Sequence, residues 1–491
     1  MIVHETTRKV NLKLSGFPIY KNGCILILIG ELGKEGRIFV RKKQSTNQII
    51  MTEGEIWKQL LAFSVPLLAG NLFQQLYNTV DSVVVGNFIG SDALAAVGSS
   101  NSLINLIIGM FMGIGTGAGV IISQYYGARD EKKLHWAVHT SMALSLIGGL
   151  ILIVLGVLMS PFILNWMGTP EKVMPSSVAY LRIFFCGSLF NLVYNMGAGI
   201  LRAVGDSKRP LYYLCVSSVI NIVLDLVFVV VFGMGTAGVG YATVIAQAVS
   251  SVLVVWALIR TDDIYQLVPS KIRIDKRMMV RILKLGIPSG IQQSIISLSN
   301  VIVQANVNSF GSAAMAGFGA YSKIDGFAML PLQSFCMAAT TFTGQNIGAQ
   351  KSKRVKQGVI QGIAISMAYT AFISVILYFN AEHILKIFSP DEEVIAYGYS
   401  TMLILLPFYW TIAIHQILMG SIRGSGRTMI SMLIGVGNMC VLRMLYINLL
   451  VPFFPSFGAV MWCYPITWIT TMLMDCVYSI KAKWIPNESN E

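Results

Sequence analysis

Asp81, Asn221, Asp225 and Thr243 are the residues of this chain whose types and setting can do chemistry. Each lies in an apolar run: Leu76-Tyr-Asn-Thr-Val-Asp81, Val219-Ile-Asn221-Ile-Val-Leu-Asp225 and the glycine-lined Gly238-Val-Gly-Tyr-Ala-Thr243. The four-residue spacing of Asn221 and Asp225 puts both side chains on one face of a helix. Two carboxylates, an amide and a hydroxyl offer the hard oxygen ligands of a Na+ site. Two carboxylates crowded in a low dielectric can instead share and carry a proton. An ionised side chain at the centre of a membrane helix costs about 2.5–3.5 kcal/mol on insertion scales, so each acid demands a partner or a purpose. The plainer alternatives are that Asp225 caps a helix or pairs with a base, and that Asp81 sits at a helix end near water. Asn221 and Thr243 alone would merely bond neighbouring helices.

The elements that must position these groups are membrane helices. The chain of 491 residues is 55% hydrophobic and 12% charged, half the charged share of a typical soluble domain, about 25%. Its mean hydropathy is +0.66. Apolar runs at 57–80, 93–123, 135–160, 176–201, 211–232 and 238–260, then 279–307, 313–343, 356–380, 396–420, 428–451 and 457–480, each reach the roughly 20 residues a spanning helix needs. They show no strand alternation, and lipid leaves no other way to satisfy every backbone group. The expected fold is an all-α membrane protein. Glycines in Gly113-Ile-Gly115-Thr-Gly117-Ala-Gly119 suit close helix contacts.

These helices form two copies of one unit. Gly90-Ser91 returns as Gly311-Ser312, Gln124-Tyr-Tyr-Gly127-Ala128 as Gln345-Asn-Ile-Gly348-Ala349, and Leu201-Arg202-Ala-Val-Gly205 as Ile422-Arg423-Gly-Ser-Gly426, all at an offset of 221 residues. Pro66 matches Pro288 one gap away. Twelve transmembrane helices in two repeated six-helix lobes follow, with a solute path expected at the interface between the copies. The expected division is an N-terminal extension (1–50, disordered or a mis-assigned start), a first lobe (51–260), an inter-lobe loop (261–278), a second lobe (279–480) and a tail (481–491).

The lobes are chemically unequal. Asp81 maps near Val303, Asp225 opposite Leu442 with Arg443 beside it, and Thr243 near Tyr464. The acids gather in the first copy and a membrane Arg stands in the second. Gln75, Asn78, Gln293, Asp325 and Arg443 are candidates for the solute cavity; Asp325 could equally pair with Lys323 or sit at a segment end.

Lys and Arg cluster between the even-numbered segments and those that follow, including Arg129, Lys132, Lys133, Lys208, Arg209, Lys271, Arg273, Lys351 and Lys353. The opposite connections carry Lys172 and Lys386. The positive-inside rule then places both termini in the cytoplasm, so the net charge of +13 marks topology and not a nucleic-acid partner. The seven cysteines form no Cys-x-x-Cys pair and the five histidines no metal-ligand spacing. No phosphate loop or nucleophile elbow is present. The expectation is a protein that is not an enzyme, has no catalytic residue and no cofactor, and uses Na+ or H+ as a coupling ion.

With Pro66-Leu-Leu-Ala-Gly-Asn-Leu-Phe-Gln-Gln-Leu-Tyr-Asn-Thr-Val-Asp81, the paired Gln-x-x-Gly-Ala motifs at 124 and 345, Leu201-Arg-Ala-Val-Gly-Asp-Ser-Lys-Arg-Pro210 and Arg423-Gly-Ser-Gly426, the chain resembles the multidrug and toxic compound extrusion (MATE) family, in particular its bacterial DinF-like branch, from about residue 52 to 480. The resemblance implies two lobes opening alternately inward and outward, and antiport of amphipathic, often cationic, organic solutes against Na+ or H+. It implies a first-lobe cation site of Asp81, Asn221, Asp225 and Thr243, the metal set if Na+ is the coupling ion. It implies further a multi-pass monomer in the bacterial inner membrane, with small solutes and lipid as partners. The family's seventh-segment coupling acid is missing from Gln292-Gln-Ser-Ile-Ile-Ser-Leu-Ser-Asn300, which places coupling in the first lobe. A lipid-linked oligosaccharide flippase of the same broader superfamily is the alternative. It would want several cavity bases, and only Arg182, Lys323 and Arg443 lie away from the segment ends.

Overall fold

The computed structural model describes residues 49–486, and all regular structure among them is helical. Twelve spans run α1 (Ile56–Phe88), α2 (Ser91–Gly127), α3 (Glu131–Trp166), α4 (Met174–Cys186 with Ser188–Ala203), α5 (Lys208–Val231) and α6 (Gly235–Arg260). The second copy runs α7 (Lys276–Asn308), α8 (Ser312–Gly348), α9 (Ser352–Lys386), α10 (Glu392–Gly424), α11 (Thr428–Phe453) and α12 (Phe457–Lys481). α4 bends by 47° at Gly187. Each expected segment corresponds to one of these spans, and most are longer than their apolar runs because polar turns extend them beyond the lipid-depth stretch. Among the described residues, nine helices and the bent pair of α4 are long and apolar enough to cross a membrane. α7 and α8 are long but less apolar, since their Gln, Ser, Asn, Thr and Asp side chains turn inward.

Local geometry repeats with the sequence. Gly90 and Gly311 precede α2 and α8 at φ +113° and +99°, and Gly205 and Gly426 follow α4 and α10 at +93° and +86°. A side chain at these positions would be strained, which explains why glycine appears in both copies. A π-helical stretch follows Asp225 (Val227–Val231), and another (Gly437–Leu442) precedes Arg443. Such bulges often mark functional sites in helices.

The two lobes touch through backbone. A Cβ on Gly117 would stand 2.5 Å from the Gly286 nitrogen, and one on Gly290 would stand 2.6 Å from the Met110 carbonyl. α2 and α7 therefore pack glycine on glycine, as small-residue membrane interfaces do. Gly115 and Gly119 of the same sequence run lie off that face, with nothing nearer than 3.9 Å.

At the end carrying the basic loops, the lobes are sewn by two copies of one bond. Gln124 Nε2 donates to the Gly424 carbonyl at 2.9 Å, and Gln345 Nε2 donates to the Ala203 carbonyl at 2.8 Å. Beside them Gly127 and Gly348 meet the backbones of Gln345 and Gln124 too closely for any Cβ. The stretch before α1 lies across this seam. Ile49 N donates to the Gly205 carbonyl at 3.0 Å. Asn346 and Arg354 donate to the Met51 carbonyl at 2.9 and 3.2 Å, and Lys351 to that of Thr52 at 2.8 Å. The expected N-terminal extension otherwise lies outside the described residues.

Gly117→Ala should lower stability by about 1–3 kcal/mol, since overpacking against backbone has no side chain to relax. Gly119→Ala should leave it unchanged. Thermal unfolding in detergent, followed by size-exclusion peak height, compares the two; equal effects would show that the glycine contact does not hold the lobes.

Candidate functional site

The first-lobe groups converge from three helices. Asp81 comes from α1, Asn221 and Asp225 from α5, and Thr243 from α6. Asn221, Asp225 and Thr243 are buried, Asp225 completely. The Asp81 and Asp225 carboxyls lie within hydrogen-bonding reach of each other. Asp81, Asn221 and Thr243 line the central cavity, whereas Asp225 stands behind Asp81. Neither acid is at a helix end, and among the described residues neither is paired with a base.

The donor set is unsatisfied in a telling way. Among the described residues, Asp81 Oδ1, both Asp225 oxygens, both polar atoms of Asn221 and Thr243 Oγ have no hydrogen-bond partner, nor do the nearby Ser218 Oγ and Gln247 Oε1. Two ionised carboxylates cannot donate to each other, so their proximity becomes a bond only when one proton is shared. Each orphaned buried polar atom costs about 1–3 kcal/mol. A proton or a small hard cation between the acids removes that cost, and the oxygens of Asp81, Asn221, Asp225 and Thr243 fit either. Tyr77 on α1 lies beside Thr243, and Tyr180 on α4 lies near both acids. Sequence spacing gives no hint of these two tyrosines, because they join the pocket only once α4 and α6 fold against α1.

Between the lobes is a cavity of about 1320 Å3, above the roughly 300–1,000 Å3 of ordinary ligand pockets. Asn78, Gln293, Asp325 and Arg443 line it. Gln75 does not: it is exposed at the flank of that face, and Gln74 beside it and Asn71 and Asn78 one turn away take the cavity positions. One helical residue is a rotation of about 100°, which apolar patterning around a polar stretch does not resolve. Met112, Met329, Met337, Met419 and Trp468 add adaptable apolar wall.

Asp325 is not paired with Lys323, which is exposed on α8. Its Oδ1 accepts from the hydroxyls of Tyr409 at 2.6 Å and Tyr321 at 3.0 Å. Arg443 is buried and well engaged: it donates to Asn300 Oδ1 at 2.9 Å and Thr467 Oγ at 3.2 Å, and its guanidinium stacks 4.5 Å from the Tyr464 ring. Arg182 does not line the cavity; it donates to the Val157 carbonyl. Instead Arg202 and Arg423, last-turn residues of α4 and α10, reach it. Arg423 is held by Gln292 Oε1 at 2.6 Å. Reading the histidines only for metal-ligand spacing also passes over His415, whose Nδ1 lies 2.5 Å from Asp475 Oδ2. The signal was available: Asp475 is an acid inside an apolar segment, as Asp81 is. Among the described residues no cluster of three His, Cys, Asp or Glu side chains could hold a metal.

A twelve-helix bundle in two repeated lobes, with its polar residues turned into one central cavity, defines a secondary-transporter architecture. The MatE family profile matches residues 66–227 and 288–448. The probable multidrug resistance protein YoeA of Bacillus subtilis is 34% identical over 76% of this chain and 82% of its own length. NorM of Thermotoga maritima, also described as a probable multidrug resistance protein, is 25% identical over 77% and 82%. The chain belongs to the MATE family of membrane transporters. Its fold matches that of an outward-facing multidrug resistance MATE transporter with a TM-score of 0.83 at 22% identity, covering 89% of this chain and 98% of that one. A MOP superfamily transporter from Pyrococcus furiosus described for the reversed polarity of its binding pocket superposes equally well.

If the orphaned oxygens hold Na+, the folded state should gain stability from it. Ion at a hundred times its dissociation constant adds about 2.7 kcal/mol. Thermal unfolding in NaCl against choline chloride reads this, and Asp225→Asn should flatten the response. A sodium response that survives unchanged in that variant would place the ion elsewhere.

Proposed function

We propose that the protein is a cation-coupled antiporter exporting amphipathic, often cationic, organic compounds by alternating access. The observation that carries this reading is the pair of unpartnered carboxylates, Asp81 and Asp225, at the wall of a large cavity between two lobes. The names of its relatives agree with multidrug export. On this reading residues 51–260 form one lobe, 279–480 the other, and 261–278 connect them. The protein works as a monomer in the bacterial inner membrane, with the basic loops and both termini in the cytoplasm. The Gln124–Gly424 and Gln345–Ala203 bonds then close the cytoplasmic side, leaving the cavity accessible from outside.

In that state the Asp81–Asp225 pair takes up one Na+ or H+, and its negative charge falls by one. α1 carries the change: Pro66 removes one backbone donor and leaves the Ala62 carbonyl without its usual helical partner. Repacking of α1 weakens the hold on a cationic solute, which leaves outward. Release of the ion to the cytoplasm restores the acidic pair and the next solute binds. Asp325, fixed by its two tyrosines, attracts cationic solutes from the second lobe.

The flippase alternative is not favoured. The chain's relatives are described as multidrug resistance or export proteins, and of the three cavity bases Arg423 and Arg443 are engaged by Gln292, Asn300, Thr467 and Tyr464, while Arg202 remains in the wall.

Asp81→Asn should abolish coupled efflux while leaving insertion and folding intact. Dye efflux in everted vesicles under an imposed Na+ gradient, then under an imposed pH gradient, tests this and identifies the ion. Wild-type rates with unchanged ion dependence in the variant would put coupling elsewhere. Asp325→Asn should weaken export of a cationic dye several-fold more than that of a neutral one, because a carboxylate in low dielectric attracts cations far better than in water. Ion dependence should survive. Equal loss for both dyes, normalised to protein level, would defeat the solute role.

A further inference from the structure

The second lobe contains an arrangement parallel to the acidic pair of the first. In the first lobe a titratable side chain, Asp81, stands in the cavity wall with a fully buried carboxylate, Asp225, behind it. In the second lobe His415 of α10 stands in the same cavity wall, and Asp475 of α12, 1% exposed, lies behind it. The imidazole Nδ1 and Asp475 Oδ2 are 2.5 Å apart. The two pairs are not related by the sequence repeat, so this likeness arises from the fold and was not inherited with the duplication.

The groups facing the pair leave its charge unsettled. Cys336 on α8 and Arg423 on α10 lie within electrostatic range of Asp475, and Cys476 adjoins it on α12. The Arg423 guanidinium is drawn toward α7, where Gln292 Oε1 holds it. α11 presents Asn438, which contacts Met474 and does not titrate. With a neutral imidazole, Nδ1–H donates to the carboxylate and the pair carries one negative charge. Addition of one proton at Nε2 makes it an imidazolium–carboxylate pair of no net charge.

We propose that His415 and Asp475 form a second proton-binding site, loaded from the cavity, whose occupancy weakens the binding of organic cations in the second lobe. The site thus adds a proton-sensitive term to solute affinity that is independent of the ion held at Asp81. A buried pair that only ties α10 to α12 would have no such effect. The inference rests on the export reading for its use. Its test measures binding alone, so failure of coupled efflux at Asp81 would leave the outcome readable.

The test uses the full chain in nanodiscs carrying Asp81→Asn and Asp225→Asn, which removes titration in the first lobe and lowers cation affinity at every pH alike, so the readout is the change with pH. Tetraphenylphosphonium binding is measured by isothermal titration from pH 5.5 to 8.0. Affinity should tighten roughly tenfold as pH rises, the scale expected for one charge acting across a cavity of intermediate dielectric. Adding His415→Gln should flatten the profile, and adding Asp475→Asn should weaken binding at every pH, because the pair loses its negative charge while the imidazole can still take a proton. A slope unchanged by His415→Gln, or no slope before it is added, overturns the proposal. Proton release on binding at pH 6.5, from buffers of different ionisation enthalpy, needs no histidine variant and covers the case in which neither folds. Absence of release there also overturns it.

Discussion

Two carboxylates side by side in a membrane interior cannot both stay charged without a partner. Much of this molecule can be understood as the scaffold for that constraint. α5 supplies Asn221 and Asp225 on one face, α1 brings Asp81 from the opposite side, and α4 and α6 close the pocket with Tyr180 and Thr243. The orphaned oxygens would be expensive in a protein that served only to pack lipid. Here they sit at the edge of a cavity. On the antiport reading proposed above, the cost of the unpartnered pair and the gain on binding an ion would be one quantity seen from two states, which would give an ion leverage over a helix.

Leverage needs something able to move. Bundles held by interlocking large side chains resist sliding, because each rotamer must be reset. The lobes here meet over glycines 113, 117, 286 and 290, where backbone touches backbone and few side chains are trapped. Such a contact is tight in one alignment and can be lost without repacking a core. The hydrophobic clusters lie mostly within each lobe, around Leu332, Tyr409 and Trp468 in the second and around Leu134, Leu201 and Leu258 in the first. A smaller cluster crosses the joint, where Phe63 and Leu67 of α1 pack with Ala338 and Phe342 of α8.

Span number, the duplication and the acidic pocket were legible in the sequence, because lipid punishes buried charge and repeated glycines survive at turns. What escaped was rotational detail and distant pairing. Gln75 was read toward the cavity when Gln74 and Asn78 face it, since a polar stretch of α1 offers no apolar stripe to fix the phase. Asp325 lines the cavity as expected, but the partner that sequence proximity offered as the alternative, Lys323, is not its partner; its partners come from its own helix one turn away and from Tyr409, 84 residues on. His415 and Asp475 stand 60 positions apart, a distance over which spacing says nothing and only packing decides.

The Gln124 and Gln345 bonds have a further consequence. They are the same bond written twice, each reaching from one lobe to the helix end of the other. Neither lobe can swing away while keeping its own half, for each half belongs to both. The closure therefore behaves as a clasp with two identical hooks, and a single damaged hook leaves a lopsided clasp instead of an open one. An ancestor in which two identical subunits met face to face would have carried this clasp by symmetry alone. The fused chain has kept the hooks while letting the pockets behind them diverge.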